Sequence, residues 1–278
     1  MARAPRGFAG CGWLHRAFLE VPREHFVPDR VWWPAPGADG RYPSSTGPSA
    51  PRVAQGGLPA RRGAHHADRG RRGRRRRPGD GAFTSSISAA GVVVEMLRHL
   101  APEPGEKVLE IGTGTGYTTA LLAHRVGDVP VVTVEIDARI ADRARDRLHG
   151  LGVRPRCVTA DGEEGCADGG PYDRILSTAS VRRIPAAWLG QLRPGGVLVA
   201  PLDTPFGHDL LVLLVADEHG GAVGRPVAPV AFMRTRGQRR PRPYAELGWP
   251  EALDAGRWAH LLVTAGPSGQ RVTVCAPN

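Results

Sequence analysis

Along most of the chain apolar positions recur with one of two periods, and the two alternate. Short β-rich runs at 108–111, 131–136, 156–159, 171–179 and 197–200 read as strands. Between them, 118–126, 138–151 and 184–192 place apolar residues at helical spacing, with Gly152 and the Arg193-Pro-Gly-Gly196 turn as stops. Runs at 210–216 and 227–232 flank an Asp-Glu-His-Gly-Gly turn and predict two more strands. Ahead of the first strand, 84–88 reads as a polar turn. Ser88 is placed there to cap a helix at 89–100 that presents Val92, Val93, Met96, Leu97 and Leu100. Near the N-terminus Trp13, Ala17 and Val21 share a helical stripe that Pro22 ends. A hairpin is expected at 260–264 and 271–275. Strands alternating with helices predict an α/β fold, with a mostly parallel sheet, right-handed crossovers and helices on both faces. The expected layout is an N-terminal helical cap at 1–34, an irregular insert at 35–82, the core at 83–238 and a C-terminal extension at 239–278.

The core is organised around Val108-Leu-Glu-Ile-Gly-Thr-Gly-Thr-Gly-Tyr117, a strand running through a glycine turn into a helix. Gly112, Gly114 and Gly116 permit backbone conformations and close approaches that a Cβ would block. The spacing is G-x-G-x-G with Glu110 just upstream, not the G-x-G-x-x-G that cradles a pyrophosphate. Such a turn leaves room for an amino acid and a ribose, the pattern of an S-adenosylmethionine pocket. The next strand ends in Glu135, where a carboxylate can accept both ribose hydroxyls. Asp161 and Gly162 follow the third strand, at the carboxyl edge where an adenine amino group can be read. A tight turn at the glycines and an Asx turn at Asp161 are the plainer readings of each piece alone.

Charge looks at first like a nucleic-acid signature, since the 278 residues carry a formal +10. Residues 52 to 77, however, hold ten arginines against Asp68 alone, a net +9, so the rest of the chain is left with about +1. A nearly neutral folded part implies no basic face, and a nucleic-acid partner is disfavoured. Cys11, Cys157, Cys166 and Cys275 have no C-x-x-C spacing and no histidines at ligand distance, so no metal site is expected. Scattered thiols, no apolar N-terminal run and no membrane-length stretch point to a cytoplasmic protein without a membrane partner. The tract at 35–82 has neither period and reads as a disordered Arg/Pro/Gly-rich insert. A sharper alternative is a displaced frame. One codon choice for Val53 to Arg72, read one base later, encodes WRRAVYLPDEAHTTQTEVD, with an amphipathic pattern and balanced charge that the written frame lacks.

Taken in order, these motifs resemble the protein-L-isoaspartate O-methyltransferases from about Trp13 to Gln238, the insert excepted. Val21-Pro-Arg-Glu-His-Phe-Val27 is similar to that family's V-P-R-x-x-F-V, and Ser86-Ile-Ser88 to its T-I-S. Asp161-Gly162, Pro171-Tyr-Asp173, Thr178-Ala179, Ile184-Pro185, Gln191-Leu192 and Gly195-Gly196 follow in family order. The resemblance implies a seven-stranded sheet and S-adenosylmethionine as cofactor. It also implies methyl transfer to an isoaspartyl or aspartyl carboxylate of a protein or peptide, for repair or for dedicated peptide tailoring. It carries the active-site serine onto Ser88 and cofactor roles onto Glu110, Gly112, Gly114, Gly116, Glu135, Asp161 and Gly162. The chain departs from the pattern where the family's G-Q is Thr84-Ser85. Two other classes stay open at this point: a nucleic-acid methyltransferase tethered by the arginine tract, and an inactive S-adenosylmethionine-binding remnant.

Overall fold

The computed structural model describes Phe8 and residues 10–28, 30–32, 44–46, 64–66, 85–127 and 131–275. Most of the arginine tract, the displaced-frame segment and Thr84 lie outside the described residues. Helix α1 (Gly12–Glu20) is followed, after a short turn, by a small antiparallel sheet. It pairs the backbones of Ser44–Thr46, Arg30–Trp32, Ala64–His66 and β1 (Ser85–Ile87), in that order. The core then runs α2 (Ala90–Leu100), β2 (Val108–Ile111), α3 (Tyr117–Val126), β3 (Val132–Glu135), α4 (Ala138–Gly150), β4 (Arg156–Thr159), β5 (Tyr172–Ser177), α5 (Ala186–Gln191) and β6 (Leu192–Asp203). Antiparallel β7 (Asp209–Ala216), β8 (Ala222–Val230), β9 (Leu261–Gly266) and β10 (Gly269–Val274) complete it.

The main sheet has the order β10-β9-β8-β7-β6-β5-β2-β3-β4. Strands β4, β3, β2, β5 and β6 are parallel neighbours, and every pairing beyond β6 is antiparallel. Among the described residues nine strands replace the expected seven, because the C-terminal hairpin continues the sheet, Val263–Ala265 pairing with Ala222–Gly224. From β2 the chain winds outward through β3 and β4, then returns to lay β5 on the other side. The switch point between β2 and β5 is where an open α/β sheet leaves a crevice for a ligand.

Side-chain alternation along β2 assigns its two faces. Leu109 and Ile111 join Ile175, Trp188 and Leu198 under α5. Val108 joins Leu97, Leu100, Leu121 and Leu14 under α1, α2 and α3. Each such side chain contributes roughly 1.5–3 kcal/mol on burial.

Two local expectations change. Ser85–Ile87 is a strand rather than a turn, and the residue ahead of α2 is Ala89, which makes no side-chain cap, so Ser88 does not cap that helix. The strand arises because Ala64–His66 supplies a pairing partner from a tract with no periodic signal. The Arg193-Pro-Gly-Gly196 turn is a bulge inside one long strand, skipped between the pairs Tyr172↔Leu192 and Arg174↔Val197.

Candidate active site

The carboxyl ends of β2, β3, β4 and β5 open into a cleft at the switch point of the sheet, where an α/β fold of this kind binds its ligand. Its floor is the glycine turn. Gly112 and Gly114 have φ of +90° and +56°, in the region that favours glycine. A Cβ on Gly112 would come within 2.6 Å of Thr178 Oγ1, whose hydroxyl donates to the Gly112 carbonyl at 2.6 Å. Thr178 follows β5, so this contact clamps the two strands of the switch point together.

Glu135, at the end of β3, lines the cleft with its carboxylate already oriented. Oε2 accepts the Gly114 N–H at 3.0 Å and Oε1 the Asp137 N–H at 3.1 Å. Burial raises its pKa above the usual carboxylate range, against the pull of these two backbone N–H groups. Each oxygen keeps a lone pair for a further donor. Ile136, next in sequence, leaves 37% of its surface exposed in the cleft, an apolar surface beside an acid. Asp161 and Gly162 form part of the opposite wall. Asp161 Oδ1 accepts the Glu163 N–H at 3.0 Å, as the plainer Asx reading expects. A Cβ on Gly162 would meet Ile111 Cγ2 at 2.6 Å. A carboxylate at a strand end, glycine backbone with no Cβ in the way and an exposed apolar side chain together suit a nucleoside carrying an amino acid. The residues present therefore fit S-adenosylmethionine.

Glu110 and Gly116 do not line the cleft. Glu110 is fully buried one layer behind the turn, where Thr119 and Thr133 hydroxyls donate to its Oε2 at 2.5 and 2.8 Å. Its Oε1 has no partner, and burial raises the carboxyl pKa to about 7. It ties β2 to β3 and α3. Gly116 starts α3 at φ +91°, and its missing Cβ leaves room for Leu148 of α4.

The second wall is β1 and the residue after it. Ser85, Ser86, Ile87 and Ser88 all line the cleft. Arg23, from the Val-Pro-Arg segment, donates from Nη2 to the Ser88 carbonyl at 2.6 Å and lies 5.4 Å over the Tyr117 ring. One half-buried guanidinium thus links the serine segment to the start of α3. Ser85 is 4% exposed and its hydroxyl has no partner. An ideal Cβ on Gly114 would lie 3.4 Å from that hydroxyl, so it faces the glycine turn directly.

A third wall comes from a strap at 233–239, which contributes Met233, Arg234, Thr235, Arg236 and Arg239. Backbone bonds between Ser180 and both Met233 and Thr235 fix the strap, at 2.8 and 2.9 Å. Arg236 reaches Asp137 at 3.1 Å, while Arg234 pairs with Asp203. Burial would raise the Asp137 pKa, but the Arg236 hydrogen bond and the N–H groups of Ile140 and Arg139 outweigh it and hold it low. Sequence reasoning missed Ser85, Ile136, Thr178 and the whole strap. Ile136 was readable as an apolar residue beside Glu135; the strap had no periodicity to announce it.

An open α/β sheet whose cleft pairs a G-x-G-x-G turn, in place of the G-x-G-x-x-G of a dinucleotide site, with a strand-end carboxylate is the arrangement of the S-adenosylmethionine-dependent methyltransferases. The family model for protein-L-isoaspartate(D-aspartate) O-methyltransferase matches residues 78–240, and the chain belongs to that family. The chain is 48% identical over 151 residues to the protein-L-isoaspartate O-methyltransferase of Cellvibrio japonicus, covering 53% of this chain and 66% of that protein. A similar enzyme, protein-L-isoaspartate O-methyltransferase 1 of Anaeromyxobacter sp., is 32% identical over 226 residues, covering 80% and 87%. A solved protein-L-isoaspartate O-methyltransferase superposes with TM-score 0.65 at 18% identity, over 97% of this chain and 96% of the other. A Plasmodium falciparum structure of that description, in complex with S-adenosyl-L-homocysteine, has TM-score 0.57 at 15% identity, over 83% and 93%. At those identities the two structures speak for the fold alone. Among the described residues no helix is long and apolar enough to cross a membrane.

Proposed function

We propose that this chain transfers a methyl group from S-adenosylmethionine to the carboxylate of an isoaspartyl or aspartyl residue in a protein or peptide. When bound, the cofactor supplies a methyl on a positively charged sulfur. The acceptor carboxylate is already ionised near pH 7, so no general base is required. The work left to the protein is orientation, and alignment of this kind lowers a barrier by roughly 7–11 kcal/mol. In this reading Glu135 holds the ribose hydroxyls, Gly112 and Gly114 admit the amino-acid end, and Asp161 and Gly162 bound the adenine. Glu110 and Gly116 act from behind, by holding the turn. Ser88 donates a hydrogen bond that orients the acceptor carboxylate, with Arg23 as the positioning residue that fixes the Ser88 backbone. The observation that carries the reading is the meeting of the serine segment and the glycine turn in one cleft, Ser85 Oγ lying 3.4 Å from an ideal Gly114 Cβ.

The test is incubation of the full chain with methyl-labelled S-adenosylmethionine and an isoaspartyl peptide, its aspartyl isomer and total RNA. Label released as methanol from the peptide on mild base treatment is the expected result, since carboxyl methyl esters hydrolyse readily. Label confined to RNA, or absent from both peptides, would refute the reading.

A further inference from the structure

The strap that forms the third wall displays more positive charge than its surroundings neutralise. Arg236 and Arg234 have the carboxylate partners given above. Arg239, Arg240 and Arg242 are exposed and have neither an ion pair nor a hydrogen-bond partner among the described residues. Arg239 itself lines the cleft. The span from Arg239 to Pro243 is held at both ends. At one end, Gln238 Oε1 accepts the N–H groups of Arg182 and Arg183 at 2.7 and 2.9 Å, while its amide donates to Glu163 Oε2 at 3.0 Å. At the other, Tyr244 donates to Asp203 at 3.2 Å and sets its ring edge-on to Trp249. Pro241 and Pro243 fix φ within the span. Arg239 is therefore presented in the cleft wall from a short tether with little freedom to fold away, and the exposed Arg240 and Arg242 follow it on the same tether.

Resting on the carboxyl-methyltransferase reading, we propose that this rim selects acceptor peptides with acidic side chains beside the methylated carboxylate. Arg239 in the cleft wall, with the positive charge that a bound sulfonium cofactor would add to the same cleft, would disfavour a cationic segment and favour an anionic one. Phosphates would match the same charges. Recognition of an unpaired strand, however, relies on aromatic platforms for the bases. Among the described residues the one aromatic side chain lining this cleft is Tyr117, which is 3% exposed and packed under Arg23. The chemistry favours an acidic peptide over RNA.

The experiment compares three isoaspartyl peptides of one length whose flanking residues are acidic, alanine or lysine. They are assayed with the full chain at low salt and at about 0.15 M, where screening acts over roughly 8 Å. An R239Q/R240Q/R242Q variant is run in parallel, and binding of the acidic peptide is followed separately by fluorescence anisotropy. Each flanking carboxylate should lower KM about 2- to 5-fold, as exposed ion pairs do. The order acidic, alanine, lysine should compress at higher salt and collapse in the triple variant. Equal KM for all three peptides, or a preference that survives in the triple variant, overturns the rim while leaving the methyl-transfer reading intact. If no peptide accepts methyl, the acceptor reading fails instead, and anisotropy decides the rim by whether the triple variant loses acidic-peptide binding. Label entering RNA rather than peptide overturns both.

Discussion

Replacing Glu110 with glutamine should change how the stability of this protein depends on pH. The side chain is wholly enclosed behind the glycine turn, with both hydroxyl donors on Oε2 and none on Oε1. Burial is the leading cause that raises its pKa from 4.5 to about 7, with the Thr119 and Thr133 hydrogen bonds opposing it. The folded-state value lies above the unfolded one, so the native protein holds an extra proton between those two values. Stability is therefore greatest below about pH 4.5 on this account and falls as pH rises through about 7. At roughly 1.4 kcal/mol per pH unit, the interval corresponds to about 3 kcal/mol lost by neutral pH. Glu110→Gln removes that titration. It adds a fixed cost of about 1–3 kcal/mol, because its amide nitrogen faces the side where Oε1 has no partner. Urea unfolding of both proteins across about pH 4.5 to 8 separates the two effects. Stability of the variant minus that of the wild type should climb by about 3 kcal/mol over the range and then level off. A difference that does not move with pH would show that Glu110 is ionised in the fold at no cost, and would refute the reasoning.

Other substitutions test the walls of the cleft. Gly112→Ala places a Cβ 2.6 Å from Thr178 Oγ1 at a φ of +90°. Thermal unfolding should report a loss of about 1–2 kcal/mol from the left-handed backbone alone, and the added stability from S-adenosylhomocysteine should shrink. Ser88→Ala should lower kcat about tenfold, the scale of one hydrogen bond, with S-adenosylhomocysteine affinity retained in calorimetry; unchanged turnover would remove Ser88 from the acceptor site. Ser85→Ala deletes a buried hydroxyl with no partner. The unliganded protein should lose no stability, whereas KM for cofactor or peptide should rise; unchanged KM values for both would leave that hydroxyl without a role. Arg23→Met should cut kcat while the fold survives, with partial rescue in Arg23→Lys; full activity in Arg23→Met would end its positioning role.

What could be read along the chain was what the chain makes locally. The turn from Ile111 to Tyr117 and the strand ending in Glu135 are each built from contiguous residues, and both stand where periodicity and glycine spacing put them. The resemblance singled out Ser88, which lines the cleft, but its surroundings could not be read from the chain. Its segment pairs with Ala64–His66, whose sequence has no strand signal, and its carbonyl is held by Arg23, 65 residues away. Glu110 looked like a cofactor ligand because it precedes the glycines. Side-chain alternation along β2 turns it instead toward Thr119 and Thr133, away from the cleft. The strap was the least legible part. Arg236 comes to Asp137 across 99 residues, from an arginine-rich segment with neither helical nor strand period. Net charge was silent here too: the near-neutral balance outside residues 52–77 gave no sign of the unpaired Arg239 in the cleft wall or of the exposed Arg240 and Arg242 beside it.

The central claim is that a nucleoside sulfonium occupies the bend between β2 and α3 with its sugar held by Glu135. Calorimetric titration of S-adenosylhomocysteine into the wild-type protein and into Glu135→Ala addresses it without any acceptor. The account predicts one site per chain in the wild type, and an affinity at least tenfold weaker in the variant, since charge-assisted hydrogen bonds contribute about 1.5–3 kcal/mol each. Equal affinities for the two proteins, or no binding heat from the wild type at any temperature, would contradict it.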